Sequence, residues 1–340
     1  MNLREVTQAH EENYLSPFAC HSRQSQGRQR EEAPCDVRTC FQRDKDRIIH
    51  AKAFRRLMHK TQAFISPEGD HYRTRLTHTL EVSQISRTIA RALALNEDLA
   101  EAIALGHDLG HTPFGHAGED ALNALLPEGF RHNEQSVRVV CVLEKNGAGL
   151  NLTAEVLDGI RNHRTRCRPA TLEGGIVRIA DKIAYVNHDI DDALRAGLLQ
   201  QSDLPKDSLL TLGETASQRI DALIRSVIAE SMGKNEISLT PAAYEAMDTL
   251  KAFLNHTVYR SAHQMEEHRK ITQMLTQIYG YYYDDPSALP AEYARLIADG
   301  SAKDRVVCDY VSGMTDRFAI RTFTELFLPS AWRLDERQRE

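Results

Sequence analysis

The spacing of apolar residues predicts helices along most of the chain. In the segment 74–95, Val82, Ile85, Ile89 and Leu93 recur every three or four residues, which places them on one face of a helix. The same spacing predicts helices at 41–57, 96–107, 115–126, 133–146, 153–163, 174–197, 216–232, 241–278, 290–299 and 303–327. Alternation at every second residue, which is typical of strands, is almost absent. We therefore expect an all-α fold.

The segment 19–40 does not follow this pattern. It is polar, has no helical periodicity and contains Gly27 and Pro34, two residue types that favour turns. We therefore expect the start of the chain, up to residue 40, to form a long polar arm on the surface.

Composition narrows the classes of partner. The 340 residues include 41% hydrophobic residues, enough for a sizeable core, and carry a formal net charge of -6. This net charge gives no general attraction to nucleic acid or to an anionic membrane, so any anion site has to be local. No run approaches the ~18 apolar residues of a spanning helix, and the charged N-terminal segment does not resemble a signal peptide. We expect a cytoplasmic protein with no membrane partner.

The six cysteines are scattered, and no pair has C-x-x-C spacing. In a cytoplasmic chain this distribution favours reduced thiols over a disulfide framework. Cys20, Cys35 and Cys40 are near enough in sequence to bind a metal together, and this weaker alternative stays open.

Ligand-type side chains are concentrated in the segment 105–119, LGHDLGHTPFGHAGE, which holds three histidines, two carboxylates and four glycines. His107 and Asp108 end a predicted helix beside a buried face, where an unpaired carboxylate or imidazole is costly. With His78 and Asp181 from two other predicted helices, they offer two nitrogens and two carboxylate oxygens. That set suits a divalent ion such as Mg²⁺, Mn²⁺, Fe²⁺, Ni²⁺ or Zn²⁺.

The order of these ligands, H…HD…D on helices, resembles that of the HD-domain phosphohydrolases. The flanking sequences closely resemble one branch, the dGTPase-like deoxynucleoside triphosphate triphosphohydrolases, in RTRLTHTLEVSQISRTIAR (73–91), LGHDLGHTPFGHAGE (105–119), FRHNEQSVRVV (130–140) and IADKIAYVNHD (179–189). Segments 44–64 and 309–320 resemble the N-terminal and C-terminal motifs of that branch. The resemblance runs from about residue 40 to about residue 330, and 200–255 shows none.

The resemblance implies a helical HD phosphohydrolase fold with additional C-terminal helices. It divides the chain into a polar arm (1–40), a metal-dependent HD core (41–200) and a C-terminal helical region (201–340) that completes the fold and makes homo-oligomer contacts. Enzymes of this branch hydrolyse a deoxynucleoside triphosphate (dNTP) between the 5′ oxygen and the α-phosphorus. The products are a deoxynucleoside and tripolyphosphate.

The resemblance also assigns roles to side chains around the four metal ligands. His116 and Glu119 match the catalytic pair: His116 protonates the 5′ oxygen, and Glu119, one helical turn later, orients its ring. The residues expected to contact the substrate are His111 and His132 at the phosphates, Arg75 and Lys182 as cations, and Gln62, Tyr185 and Asp189 around the sugar. Asp189 is expected to hold the 3′-hydroxyl, while Tyr185 leaves little room for a 2′-hydroxyl.

Two other interpretations stay open. A phosphomonoesterase or cyclic-nucleotide phosphodiesterase uses the same kind of metal site, although the histidine-rich sequence GHTPFGHAGE argues against a simpler HD phosphatase. A nucleotide sensor or nucleic-acid-binding protein without turnover has a similar sequence, although the presence of every expected ligand disfavours it. The basic run 161–168 is usually a solvated loop, but it is a candidate for binding an activating nucleotide or single-stranded nucleic acid.

Overall fold

Helices account for the regular secondary structure of residues 1–62 and 73–329, the part of the chain that this computed structural model describes. No strand occurs in these two ranges, which confirms the all-α prediction. The α-helices are α1 (Leu3–Tyr14), α2 (Cys40–Ile49), α3 (Lys52–Arg56), α4 (Arg75–Ala92), α5 (Glu97–Gly106), α6 (Gly115–Leu125), α7 (His132–Arg138), α8 (Ala154–Arg161), α9 (Leu172–Arg195), α10 (Lys206–Leu212), α11 (Ala216–Ser231), α12 (Pro241–Leu254), α13 (Ala262–Asp284), α14 (Ala291–Ala298), α15 (Lys303–Ser312) and α16 (Asp316–Phe327). Not one of these helices is both long and apolar enough to cross a membrane.

Short polar side chains fix where the helices near the predicted metal site begin. Thr74, Asn96 and Thr171 each accept a hydrogen bond from the backbone N–H three residues later, at the starts of α4, α5 and α9 respectively. Such a cap contributes about 1 kcal/mol to helix stability. Because α4, α5 and α9 carry or precede the predicted ligands, the caps also set the position of those ligands.

Two long helices predicted from periodicity are each divided in the structure. The segment 241–278 forms α12 and α13, with a π-helical turn between them and a new N-cap at Ser261. The segment 303–327 forms α15 and α16, which Gly313 separates and Thr315 caps. Periodicity does not reveal such breaks, because the residues on both sides keep an apolar helical face. The short helix α10 was not predicted at all.

The N-terminal segment is more structured than the predicted polar arm. It contains α1, which begins with a capping box formed by Asn2 and Glu5. Glu11 on α1 is buried and accepts hydrogen bonds from the Ser22 backbone N–H (2.8 Å) and hydroxyl (2.7 Å). It also accepts one from the Asn96 side chain at 3.3 Å, which ties α1 to the start of α5.

A buried ion pair holds the segment after α1 against the rest of the protein. The Arg28 guanidinium donates to the Asp44 carboxylate on α2, and their side chains are 7% and 0% exposed. Asp44 also accepts hydrogen bonds from the backbone N–H (2.8 Å) and hydroxyl (2.7 Å) of Thr153. This single carboxylate therefore joins the N-terminal segment, α2 and the start of α8.

The first hydrophobic core lies among α2, α4, α5, α8 and α9, with α11 and α12 at its side. Glycines allow α5 and α8 to approach closely. A Cβ atom on Gly106 would lie 2.6 Å from Ile160 Cδ1, and one on Gly159 would lie 2.4 Å from Ile103 Cδ1. The C-terminal ends of α5 and α8 are therefore close neighbours.

A second hydrophobic core is formed by α6 together with α13 to α16. Leu122 on α6 packs in this core with the fully buried Leu275 and Ile278 of α13. Although α6 lies within the segment 41–200, its apolar face belongs to the C-terminal helices. The helices α4, α5 and α9, which carry or precede the predicted metal ligands, pack in the first core. The helix α6, which carries His116 and Glu119, packs in the second. The predicted site therefore lies at the boundary between the two cores.

Replacing Arg28 with alanine is expected to destabilise the protein by about 3–5 kcal/mol, because Asp44 is then left as an unpaired buried charge. Arg23→Ala is the matched control, since Arg23 pairs with Glu12 at an exposed position (50% and 48% exposed). That change should cost at most about 1 kcal/mol. Urea unfolding measures both values, and equal losses in the two variants would contradict the assignment of Asp44 as a structural anchor.

Candidate active site

The four predicted metal ligands meet in one place. His78 is on α4, His107 and Asp108 follow α5, and Asp181 is on α9. The Nε2 atom of His78 lies 3.1 Å from Asp181 Oδ1, and the Nε2 atom of His107 lies 3.5 Å from Asp108 Oδ1 and 3.8 Å from Asp181 Oδ1. The side chains of His78, His107 and Asp108 are buried.

The geometry of these side chains fits a divalent ion. Ligand atoms about 2.0–2.2 Å from a metal lie roughly 3–3.5 Å from one another, close to the separations found here. His107 Nδ1 lies 2.6 Å from the Ala104 carbonyl oxygen, which can only accept, so this nitrogen carries the proton. His107 Nε2 is then a buried lone pair, and it has no hydrogen-bond partner among the described residues. A divalent ion held there would satisfy it.

Arg75, predicted to contact the substrate, is a buried partner of Asp108. Its guanidinium donates to Asp108 Oδ2 at 2.6 Å and to the backbone oxygens of Thr61 and Gln62 at 3.2 and 3.1 Å. Burial alone would raise the pKa of the Asp108 carboxyl, but His107 and Arg75 outweigh it and hold that pKa well below its ordinary value. Asp108 is therefore an anion, oriented by Arg75.

A second cluster of histidines lies beside the predicted metal ligands. The rings of His111 and His132 stack with centroids 4.6 Å apart, and the ring of His116 lies 5.8 Å from that of His111. Ligand atoms of Asp108, His111 and His132 all lie within 4.8 Å of one another, as do those of His111, His116 and Glu119. The two clusters are thus continuous through Asp108.

Glu119 binds His132, whereas the sequence led us to expect that it orients His116. Its carboxylate accepts from His132 Nδ1 at 2.8 Å and from the His132 backbone N–H at 3.1 Å. Burial raises the pKa of Glu119, but these bonds outweigh it and lower the pKa to about 2. The i,i+3 spacing suggested His116, but the packing of α7 on the end of α6 brings His132 closer.

His116 is the accessible histidine of the second cluster. Its residue is exposed, whereas His111, Glu119 and His132 are buried. Desolvation lowers the pKa of His116 below its ordinary value, although the charge of Glu119 opposes the shift. An exposed ring at the edge of a buried cluster can reach a bound substrate.

Sequence reasoning missed His163, which lies in the basic run 161–168 just after α8. Its Nε2 atom is 3.1 Å from Nε2 of His132, and its ring centroid is 5.1 Å from that of His107. Its Nδ1 atom contacts the Ile160 carbonyl oxygen at 2.7 Å, as His107 contacts the carbonyl three residues earlier. A histidine at the end of the predicted helix 153–163, as His107 is at the end of 96–107, was the available signal, and the surrounding arginines concealed it.

Three of the remaining predicted substrate contacts are on α9, and the fourth, Gln62, lies beside Arg75. Lys182, Tyr185 and Asp189 lie on this helix, and the buried Asp189 accepts a hydrogen bond from Tyr259, a residue that no sequence motif pointed to. Burial raises the pKa of Asp189 to about 7, and burial lowers the pKa of Lys182 to about 8. Asp189 Oδ1 and Gln62 Oε1 are buried and have no hydrogen-bond partner among the described residues.

Carboxylates of the C-terminal helices hold the histidine-bearing segments in place. Asp316 accepts from the Phe114 backbone N–H at 3.0 Å and from the Thr61 backbone N–H at 2.9 Å, and also from the Thr61 hydroxyl. Phe114 needs this support because it has the left-handed φ of 60°, which is uncommon for a bulky side chain. The completely buried Asp309 accepts from Arg138 at 2.7 Å and so anchors α7.

Two family comparisons cover the segments that build this site. Residues 75–186 match the HD domain family, and residues 237–325 match the phosphohydrolase-associated domain family. The first segment holds all four predicted metal ligands, and the second holds Tyr259, Asp309 and Asp316.

Relatives of nearly equal length extend the similarity to almost the whole chain, and each is named a deoxyguanosinetriphosphate triphosphohydrolase-like protein. The relative from Caldanaerobacter subterraneus subsp. tengcongensis is 59% identical over 98% of both chains. That from Clostridium perfringens is 49% identical over 97% of this chain and 98% of its own. That from Desulfatibacillum aliphaticivorans is 46% identical over 97% and 99% respectively. This chain therefore belongs to the family of HD-domain, deoxyguanosinetriphosphate triphosphohydrolase-like proteins.

Proposed function

We propose that this protein is a metal-dependent phosphohydrolase that cleaves dNTPs into a deoxynucleoside and tripolyphosphate. The observation that carries the proposal is that His78, His107, Asp108 and Asp181 lie together, and that a second histidine cluster, which includes the exposed His116, adjoins them at Asp108. Hydrolysis of a phosphate ester needs a group that polarises the phosphate and a proton donor for the departing oxygen, and this arrangement offers residues for both. The family supports the choice of dNTPs as substrates.

His78, His107, Asp108 and Asp181 are the residues that would hold the ion, which we expect to be Mg²⁺, Mn²⁺, Fe²⁺, Ni²⁺ or Zn²⁺. A divalent ion supplies Lewis acidity toward a phosphoryl oxygen. Arg75 fixes the carboxylate of Asp108 in this set through its 2.6 Å bond and keeps it charged. Arg75 also adds a positive charge next to the place where the phosphates are expected.

His116 is proposed to donate the proton that the departing 5′ oxygen requires. Without substrate, desolvation lowers the pKa of His116, so its ring is mostly neutral near pH 7. A bound triphosphate carries about four negative charges, which raise the pKa of a nearby imidazole and load it with a proton. His111 and His132 are proposed to contact the phosphates, and Glu119 fixes the ring of His132.

The residues around α9 are proposed to recognise the deoxyribose. The buried Asp189 Oδ1 and Gln62 Oε1 are acceptors without partners in the described ranges, so each can accept a hydrogen bond from a sugar hydroxyl. Tyr259 holds the other Asp189 oxygen and thereby fixes the direction of the free one. Tyr185 is proposed to pack against the ring, and Lys182 to contact a phosphate.

The predicted partners and setting stay predictions. They are an activating nucleotide, single-stranded nucleic acid at 161–168, a homo-oligomer with contacts through 201–340, and a cytoplasmic location. Within the basic run, Arg164 already lies 3.8 Å from Glu119, so it is close to the second histidine cluster. Adding dNTPs singly and as a mixture in the assay below tests activation directly.

The metal-loaded protein is expected to convert a dNTP into deoxynucleoside and intact tripolyphosphate in equal amounts. Ion-exchange chromatography of the products after incubation with each dNTP and Mn²⁺ or Mg²⁺ measures this. Monophosphate with pyrophosphate, or stepwise release of phosphate, would instead identify a different HD phosphatase. Tight nucleotide binding without any product would identify a sensor.

His116→Gln is expected to lower kcat by about 10²–10⁴-fold, the usual contribution of a general acid. The metal content should stay at the wild-type level, because His116 is outside the set that holds the ion. His10→Gln, at an exposed position on α1, is the control and should keep full activity. A His116→Gln variant with wild-type kcat would mean that His111 or His132 donates the proton.

Asp316→Ala is expected to lower kcat while leaving the metal content unchanged, because the Phe114 turn that leads into His116 loses its support. Each buried N–H left unpaired also costs about 1–3 kcal/mol of unfolding free energy. Asp316→Asn keeps one accepting oxygen and should give an intermediate kcat. Asp285→Ala, an exposed cap in the same region, is the control. Lost stability with an unchanged kcat would limit Asp316 to a role in folding.

A further inference from the structure

Two neighbouring histidine rings each have a buried nitrogen without a partner. Nδ1 of His78 and Nδ1 of His188 are both buried and make no hydrogen bond among the described residues. The centroids of the two rings are 5.7 Å apart, and the ring planes are nearly perpendicular, at 88°. Because an unpaired buried polar atom costs stability, two of them on adjacent rings point to an interaction between these rings.

The other nitrogen of His188 is held by a carboxylate. Its Nε2 atom lies 2.5 Å from Oε2 of Glu81, which is on α4 three residues after His78. A carboxylate oxygen and a bare ring nitrogen repel each other at this distance, so a proton lies between them, and His188 is its donor. In the uncharged ring, Nδ1 of His188 is then a bare lone pair that can only accept a hydrogen bond.

A role as metal ligand determines where His78 carries its proton. Nε2 of His78 lies 3.1 Å from Asp181 Oδ1, among the ligand atoms of the proposed metal site. A ring nitrogen that binds a metal carries no proton, so the proton of the neutral ring has to be on Nδ1. In the metal-loaded protein, Nδ1 of His78 is therefore a donor, and Nδ1 of His188 is an acceptor beside it.

We propose that Glu81 and His188 form a hydrogen-bond relay that holds the ring of His78 for metal binding. Glu81 accepts from Nε2 of His188, and Nδ1 of His188 accepts from Nδ1 of His78, either directly or through one buried water. Glu81 and His188 are positioning residues and not ligands, since neither belongs to a group of possible metal ligands in the described part of the chain. The relay rests on the proposed role of His78 at the metal centre.

The relay supplies what a metal-binding histidine usually has. Such histidines donate their other N–H to a carboxylate, a carbonyl or a water, which fixes the tautomer and makes the ligating nitrogen more basic. His107 has the Ala104 carbonyl oxygen, 2.6 Å from its Nδ1. Nδ1 of His78 has no such acceptor within the described ranges, and His188 offers one that is itself bonded to a carboxylate.

Ion pairs behind Glu81 hold the relay in place. Burial raises the pKa of the Glu81 carboxyl, but His188 and Arg73 outweigh it and lower that pKa below its ordinary value. The Arg73 guanidinium lies 3.5 Å from Glu81 Oε1. It also donates to Asp191 at 2.8 Å and to Asp192 at 3.0 Å. Glu81 is therefore an oriented anion, and the same arginine ties the start of α4 to α9, the two helices that carry the rings.

Metal affinity tests the relay. The full chain is stripped of metal with a chelator, and binding of Mn²⁺ is measured by equilibrium dialysis. His188→Leu keeps a buried side chain of similar size but removes both nitrogens. It is expected to weaken binding by about 10–100-fold, the usual loss for a partner behind a metal ligand. Glu81→Gln keeps the shape of the side chain and removes its charge, and it should give a smaller loss in the same direction.

A conservative variant and a neighbouring control separate positioning from packing. His188→Asn places an amide oxygen as many bonds from the backbone as Nδ1, and it is expected to recover most of the affinity that His188→Leu loses. Asn187→Leu is the matched control, because Asn187 is also buried on α9 but accepts from Arg219 of α11 at 2.9 Å. This control should lower the free energy of unfolding of the metal-free protein in urea and leave the metal affinity unchanged.

Nuclear magnetic resonance of the Zn²⁺-loaded protein, with isotopically labelled histidine, adds a direct readout. Nδ1 of His78 is expected to carry a proton that exchanges slowly with solvent in the wild type and rapidly in His188→Leu. Wild-type affinity in His188→Leu would overturn the relay. Equal losses of affinity in His188→Leu and His188→Asn would overturn it as well, since an acceptor at the position of Nδ1 would then make no difference.

Failure of the relay and failure of the proposed function give different results. If His78→Ala abolishes Mn²⁺ binding while His188→Leu binds as the wild type does, the relay is refuted and the metal site stands. If the wild type binds no ion, both are refuted. A protein whose metal affinity depends on His188 as expected but which releases monophosphate would refute only the proposed reaction.

Discussion

The hydrogen bonds of the Asp316 carboxylate join two hydrophobic cores at the place where the reactive side chains meet. The first core positions His78, His107 and Asp181, and the second core positions α6 with His116. Neither core alone can form the proposed site, because the proposed metal ligands belong to the first core and the proposed proton donor to the second. Asp316 supplies acceptors to Thr61 beside Arg75 and to Phe114 beside α6, so one side chain links the two groups. The phosphohydrolase-associated segment thus supplies Asp316 and Asp309, whose hydrogen bonds hold parts of the HD segment in place.

The same boundary concentrates polar atoms that lack partners. His107 Nε2, His111 Nδ1, Asp189 Oδ1 and Gln62 Oε1 are all buried without a hydrogen bond among the described residues. Each such atom costs stability in an isolated protein, so several of them in one region point to missing ligands rather than to faulty packing. Desolvation lowers the pKa values of His78, His111 and His116, which keeps these rings neutral and able to accept a metal ion, or a proton when anionic phosphates arrive.

Apolar spacing was sufficient for most of the helices, because it is a local property. The sequence also picked out His78, His107, Asp108 and Asp181, which the structure brings together, although their binding of a metal stays a prediction. An apolar stripe predicts a helix, and a histidine or carboxylate next to such a stripe points toward the buried side. The sequence did not reveal the contacts of Glu119 and His163, because these contacts depend on how α7 and α8 pack against the end of α6. The membership of α6 in the C-terminal core was equally hidden, because its apolar face looks the same whichever partner covers it. Gln62 is the last residue of the first described range. Residues 63 and 64, which complete the N-terminal motif, lie outside the described residues.

The helix ends also favour cations at this boundary. α5 ends at Gly106, immediately before His107, and α8 ends at Arg161, two residues before His163. The C-terminal end of a helix carries partial negative charge on its free carbonyl groups, which stabilises nearby positive charge by about 0.3–1 kcal/mol. In each case the histidine ring uses Nδ1 to cover one of these carbonyls and presents Nε2 beyond the helix end. The glycine contacts that bring α5 and α8 together therefore place two negative helix ends and the rings of His107 and His163 next to one another. A cation bound at this place would gain from both helix ends.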